Sequence, residues 1–219
     1  FLPDILEDAL DPPGASVGEI VASAGGDRIT DADVGAVEGI AIVAADQTNG
    51  DWQFDIGNGW VNLEAVSVNS AVVLDATALV RFVPYSDYFV QAGELVFHAW
   101  DQTDGILSGT IGVSLAETGG LSPFSVSSEA VSQAILPVND GPVVSGIETT
   151  SLEFVEGFQG VSVSSTIELA DVDNQQLHSA TVVIANNFSP NADVLMFSDV
   201  SDISGSWDSF AGILTLSGV

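Results

Sequence analysis

Two aspartate pairs at alternate positions, Asp31-Ala32-Asp33 and Asp171-Val172-Asp173, are the residues of this sequence best suited to chemistry. Alternate carboxylates on a bent loop can converge on one hard cation, and Ca²⁺ takes about six to eight oxygen ligands. A third group lies between them in Leu136-Pro137-Val138-Asn139-Asp140-Gly141-Pro142-Val143. Its prolines fix φ and lack a backbone donor, so neither belongs inside a paired central strand, while Asn139-Asp140-Gly141 joins turn chemistry to an amide and a carboxylate oxygen. The stretch reads as a hinge between two β-domains, and an ion bound there would hold the joint straight. Asp101, in Asp101-Gln102-Thr103-Asp104-Gly105 at a strand end, can be a further ligand or can stabilise its own turn. The competing reading is that acidic residues in turns are simply solvated. An EF-hand is excluded, since no D-x-D-x-D-G loop with a distal Glu is present.

Other chemistry finds little support. His98 and His178 are isolated, cysteine is absent, and no G-x-S-x-G or comparable nucleophile motif occurs, so neither a typical zinc site nor a catalytic constellation assembles. No reaction is expected. Trp52, Trp60, Trp100 and Trp207 could form a sugar-stacking platform, but single Trp residues in period-two strands belong more often to a core. The serines from Ser125 to Ser132 read as an exposed strand face.

Lys+Arg number 2 against 31 Asp+Glu, a formal net charge of -29. Such a surface repels phosphate backbones and anionic headgroups, so nucleic-acid and polybasic membrane binding are excluded as functions. Self-repulsion opposes compact folding, which leaves bound cations or a salty medium to neutralise it. No stretch approaches the roughly 18 uninterrupted apolar residues of a membrane span. Phe1-Leu2-Pro3-Asp4 is neither a signal peptide nor an initiator Met, so the chain is expected to be processed or a fragment.

The elements that must position these oxygens read as short strands. After an acidic, Pro-rich entry segment from Phe1 to Ala15, strands are expected at Gly18 to Ala24, Ile40 to Ala45, Asp51 to Ile56, Trp60 to Leu63, Ala71 to Leu74, Leu79 to Pro84, Glu94 to Trp100 and Ser125 to Ile135. Asn49-Gly50 predicts a hairpin joining the second and third of these. Beyond the hinge, Leu177 to Ile184, Asp193 to Phe197 and Gly212 to Gly218 read as strands. Regular short strands in 219 residues point to an all-β fold of two sandwiches, residues 1–139 and 140–219.

Val138-Asn139-Asp140-Gly141-Pro142-Val143 resembles the linker between cadherin-like repeats of very large secreted bacterial adhesins. The first block adds Asp31-Ala32-Asp33, Gly39-Ile40-Ala41, Asn49-Gly50-Asp51-Trp52, Leu79 to Pro84 and Ala99 to Gly105, in the order of one recurrent adhesin repeat. The second block resembles a different subtype, with a longer interval between its paired aspartates and the Gly205-Ser206-Trp207 element. The resemblance implies tandem cadherin-like, immunoglobulin-like Greek-key sandwiches, an extracellular, cell-surface setting and Ca²⁺ as cofactor. It also implies two ligand sets: Asn139, Asp140, Glu156, Asp171 and Asp173 at the junction, and Glu7, Asp31, Asp33 and Asp101 in the first block.

The expected role is a structural extender module of a secreted adhesin or fibre, stiffened by Ca²⁺ at its junctions. Neighbouring repeats or subunits are the expected partners. The alternative is a module that holds a glycan or other surface ligand. The second block also reads as incomplete, since nothing after Val219 matches the closing strands of the first. Either the polypeptide continues, or another subunit donates a strand by β-addition, with Phe1 to Ala9 as donor and Ile5 and Leu6 as anchors.

Overall fold

The computed structural model describes residues 2–23, 29, 36–174 and 176–218. The chain divides into two compact units, Phe1–Val138 and Asn139–Val219. Nearly all regular structure is strand, and among the described residues no helix is long and apolar enough to cross a membrane.

The first unit contains β1 (Ile5–Leu6), β2 (Ala15–Ser16), α1 (Val17–Ala22), β3 (Gly39–Ala45), β4 (Gly50–Asp55), β5 (Val61–Asn62), β6 (Ala71–Asp75), β7 (Leu79–Pro84), β8 (Val90–Gln91), β9 (Leu95–Trp100), β10 (Ile111–Val113), β11 (Phe124–Val131) and β12 (Ala134–Leu136). A five-stranded sheet in the order β10-β6-β3-β9-β11 packs on a four-stranded sheet, β2-β7-β4-β5, and β1-β12-β8 forms a third. Ile40, Ile42, Val72, Leu74 and Leu95 of the larger sheet meet Trp52, Phe54, Val80 and Phe82 of the smaller. Trp52 and Phe82 cross edge to face with ring centroids 5.2 Å apart.

The opposite face of the five-stranded sheet is covered as well. Ala41, Val43, Ala71 and Val73 pack with Trp100 against Val113, Leu115 and Phe124. Strands covered on both sides have no reason to alternate, which is why β3 and β6 read as unbroken apolar runs while β4 alternates.

Several expectations are corrected here. Gly18 to Ala24 is not a strand, because α1 occupies Val17–Ala22. Ser16 caps it, accepting the Glu19 N–H at 3.2 Å while the Glu19 carboxylate accepts the Ser16 N–H at 2.8 Å. This reciprocal box outweighs the β-branched content of the segment. Replacing Ser16 by Ala should cost the first unit about 1 kcal/mol, read as a lower denaturation midpoint.

β3 and β4 do not form a hairpin at Asn49-Gly50. Both edges of β3 are taken, by β6 and β9, so the chain crosses to the other sheet, where β4 pairs with β7 and β5. The hairpin that does form is β4–β5. There Asp55 Oδ1 accepts the N–H groups of Gly57, Asn58 and Gly59 at 2.7, 2.9 and 2.9 Å. Gly57 and Gly59 sit at φ +95° and +98°, where a side chain would be strained.

The strand expected from Ser125 to Ile135 breaks into β11 and β12 at Ser132-Gln133, where the buried Gln133 side chain donates to the Pro3 carbonyl. Ile5 and Leu6 are not a free donor either. They form β1, paired parallel with Ile135 and Leu136, and Ile5 is buried in the core.

Arg81 of β7 is buried and ties down the entry segment. Its guanidinium lies 4.1 Å from the centroid of the Trp60 ring. It donates to Gln53 Oε1 at 2.8 Å, to the Pro12 carbonyl at 3.0 Å, and to Asp11.

The second unit contains β13 (Val143–Ser145), β14 (Glu168–Ala170), β15 (Ser179–Val183), β16 (Ser204–Asp208) and β17 (Ile213–Ser217), arranged as a two-stranded sheet, β13-β14, and a three-stranded one, β15-β17-β16. Register places Val182, Leu214 and Trp207 in one row across the larger sheet. Phe188 covers Trp207 edge to face at 6.1 Å. Asp193 to Phe197 is not a strand: Asp193 closes a turn by accepting the Ser189 N–H at 2.8 Å, and Phe197 lies over Gly205 as cover. Among the described residues of this unit, Leu214 is the one buried apolar side chain. Its sheets therefore share little core, which makes its stability marginal beside that of the first unit.

Candidate metal centre

Glu7 follows β1 directly. Parallel pairing of β1 with β12 carries it past Leu136, whose carbonyl accepts the Glu7 N–H at 2.9 Å. The Glu7 Oε1 atom in turn accepts the Val138 N–H at 2.6 Å, so this carboxylate fastens the chain where it leaves β12. Glu7 is only 2% exposed, and its Oε2 is buried without a hydrogen-bond partner among the described residues. A buried carboxylate with one oxygen unsatisfied is costly unless a proton or a cation meets it.

The neighbouring Asp8 adopts φ +60° and accepts the Asp87 N–H at 3.1 Å, and Asp87 is itself at φ +60°. Two non-glycine residues in the left-handed region mark a tightly held turn. The adjacent acids Glu7-Asp8 were the only hint of this in the sequence, and nothing singled out Asp87.

Asp101 lies at the end of β9, where its Oδ1 accepts the Thr103 N–H at 2.8 Å and hydroxyl at 2.7 Å. Asp46 with Thr48 and Asp75 with Thr77 repeat the same geometry. Asp-x-Thr is thus a recurrent turn clasp of this chain, legible in the sequence as three instances. At Asp46 the Thr48 hydroxyl and N–H hold the carboxyl below its usual range. At Asp75 burial pushes upward, but Thr77, Ser108 and Ala78 together outweigh it and the pKa falls. Asp101 belongs to no trio of potential ligand atoms within 4.8 Å of one another among the described residues. Asp31 and Asp33 lie outside the described residues.

In the second unit the loop after β14 places Asp173 against Asp140, while Asp171 and Glu156, like Asp101, belong to no trio of potential ligand atoms within 4.8 Å of one another among the described residues. Asp171 Oδ1 accepts the N–H groups of Asp173 and Asn174 at 3.0 and 2.8 Å, which bends the loop. Asp173 Oδ2 accepts the Asp140 N–H, fastening the start of the unit to its paired aspartates. Asn139 is exposed and donates its side-chain amide to the Asp140 carbonyl at 2.8 Å. Glu156 is exposed in a turn closed by Phe158 N–H to the Val155 carbonyl at 3.3 Å.

The donor set is oxygen throughout, and the half-buried Asp140, Asp171 and Asp173 suit a hard divalent cation better than a soft one. Glu148, exposed elsewhere in the second unit, is held in its ionised form by hydrogen bonds. The Ser165 N–H, helped by the Ser164 hydroxyl, holds its carboxyl at about 2. Comparison of this chain with protein-family models, curated proteins and solved structures returns no match.

Proposed function

We propose that this chain is a structural extender of a secreted surface protein or fibre, built as tandem cadherin-like domains and stiffened by Ca²⁺ at the junction. The observation that carries the reading is Glu7, a buried carboxylate with an oxygen unmatched by any donor among the described residues, at the point where the first unit ends. Asp173 supports it by tying Asp140 of the hinge sequence to the paired-aspartate loop. Asp140, Asp171 and Asp173 of the second unit would hold Ca²⁺ there, with Asn139 and Glu156 as further oxygens, and Glu7 would serve the first unit's own set. When bound, the ion supplies positive charge to a chain whose net charge is -29. Asp101 fits a turn clasp at least as well as a ligand.

Glycan binding through stacked aromatics is the second reading, and the tryptophans speak against it. Trp52 and Trp100 are buried in the two cores of the first unit, and Arg81 lies against the ring of Trp60.

The test is thermal melting of the whole chain in EDTA and in millimolar Ca²⁺ at fixed Na⁺. Ca²⁺ is expected to raise Tm by several degrees, since a ligand bound only to the folded state stabilises by about 2.7 kcal/mol at a hundredfold excess over Kd. X-ray scattering should show a narrower spread of dimensions with Ca²⁺, lost when Asp140 and Asp173 are both changed to Asn. An identical Tm in the two solutions would overturn the Ca²⁺ reading.

A further inference from the structure

A second feature of the first unit points to ligand binding apart from any metal. α1 covers one end of the five-stranded sheet, and between α1 and the edge strand β11 lies a cleft of about 290 Å³. Ile20 and Val21 of α1, Phe97 of β9 and Val131 of β11 form its apolar walls. The pairing of Glu129 with Phe97 and of Val131 with Leu95 puts Glu129 on the same side of β11 as these two residues, exposed at the rim of the cleft. Ser125 and Ser127 line the cleft as well. On this side of β11 the buried Val131 closes the apolar wall, while Ser127 and Glu129 stand exposed at the mouth of the cleft.

The hydrogen-bond inventory gives the cleft a sign. The Ser125 hydroxyl is consumed, accepting the Ala99 N–H at 2.9 Å and donating to the Ser127 carbonyl at 2.6 Å. The Ser23 hydroxyl donates to the Ile20 carbonyl at 2.7 Å. The Ser132 hydroxyl accepts from the Gln91 side-chain amide at 2.5 Å. Glu129 and the Ser127 hydroxyl have no hydrogen-bond partner among the described residues, so the one charged group among the described lining residues is a carboxylate. With apolar walls opposite, the complement is a molecule with a hydrocarbon body and a positively charged donor. An anion would meet Glu129 and a chain of net charge -29.

We propose that this cleft binds a small organic ammonium ion, its apolar body against Ile20, Val21 and Phe97 and its N–H donors on Glu129 and Ser127. The volume is near the lower end of small-ligand sites, about 300 Å³, and fits a one-ring amine. A charge on an edge strand can also discourage strand addition. That role alone predicts no saturable ligand, so the two are separable.

The test uses the whole chain at physiological salt, titrated with 2-phenylethylammonium, 2-phenylethanol and phenylacetate and followed by amide NMR shifts and calorimetry. The amine is expected to saturate shifts centred on Ile20, Phe97 and Val131, with phenylacetate at least about tenfold weaker. Glu129→Gln should lower amine affinity by about tenfold while leaving 2-phenylethanol unchanged. Ser127→Leu, which fills the cleft from an exposed position, should abolish binding of both without changing Tm. Equal binding of amine and carboxylate, amine affinity unmoved by Glu129→Gln, or no saturable shift up to about 10 mM would each overturn the proposal.

Discussion

Arg81→Ala should destabilise the first unit by about 3 kcal/mol, a large effect for one side chain outside the apolar core. Asp11 accounts for little of it, because its side chain is 85% exposed and the pair is screened. The cost comes from three groups that lose Arg81 together. The Pro12 carbonyl and Gln53 Oε1 lose their donor, each worth about 1 kcal/mol or more where water cannot replace it. The Trp60 ring loses a stacked guanidinium worth about 1 kcal/mol. Asp11→Ala should therefore cost well under 1 kcal/mol and Arg81→Lys an intermediate amount, since an ammonium keeps the charge but not the planar fork. Urea unfolding of the three variants checks the order. An Asp11→Ala cost equal to that of Arg81→Ala would show that the ion pair, not the stacked and forked contacts, holds the entry segment.

Arg81 also shows where sequence reasoning reaches and where it stops. Apolar runs such as Ile40 to Val43 and Ala71 to Leu74 could be read as buried strands from residue types alone, and they are buried on both faces. Asn49-Gly50 carried a hairpin signal, yet nothing local reveals that both edges of β3 are taken by β6 and β9, strands about thirty to sixty residues further on. α1 was legible in principle from Ser16-Val17-Gly18-Glu19, a capping box hidden by the valines and isoleucine around it. At the candidate site the alternate aspartates were readable as carboxylates on a bend. The burial of Glu7 was not, because it depends on parallel pairing of β1 with β12 across 130 residues, Ile5 with Ile135 and Leu6 with Leu136. The serines of β11 read as an exposed strand face, and residues 126–130 are exposed; the cleft beside them was hidden because it also needs α1 and the pairing of Glu129 with Phe97.

Glu7→Gln is expected to reverse its effect on stability with the presence of Ca²⁺. Glutamine has nearly the same shape and can still accept the Val138 N–H, so the fastening of β12 persists. What changes is the buried charge, whose second oxygen has no donor among the described residues. Without a cation that charge is a liability, and neutral replacements of poorly matched buried ions are often stabilising by about 1–4 kcal/mol. In EDTA the variant should therefore melt above the parent. In millimolar Ca²⁺ the parent gains the binding free energy, about 2.7 kcal/mol at a hundredfold excess over Kd. The variant, with a neutral amide in place of an anionic ligand, gains far less and should melt below the parent. A purely structural Glu7 would give the same order in both solutions, because its bond to Val138 is indifferent to the ion. Melting parent and variant side by side in the two solutions decides the matter: a parent that melts higher in EDTA as well as in Ca²⁺ would mean that the buried carboxylate is matched within the protein and calls for no cation.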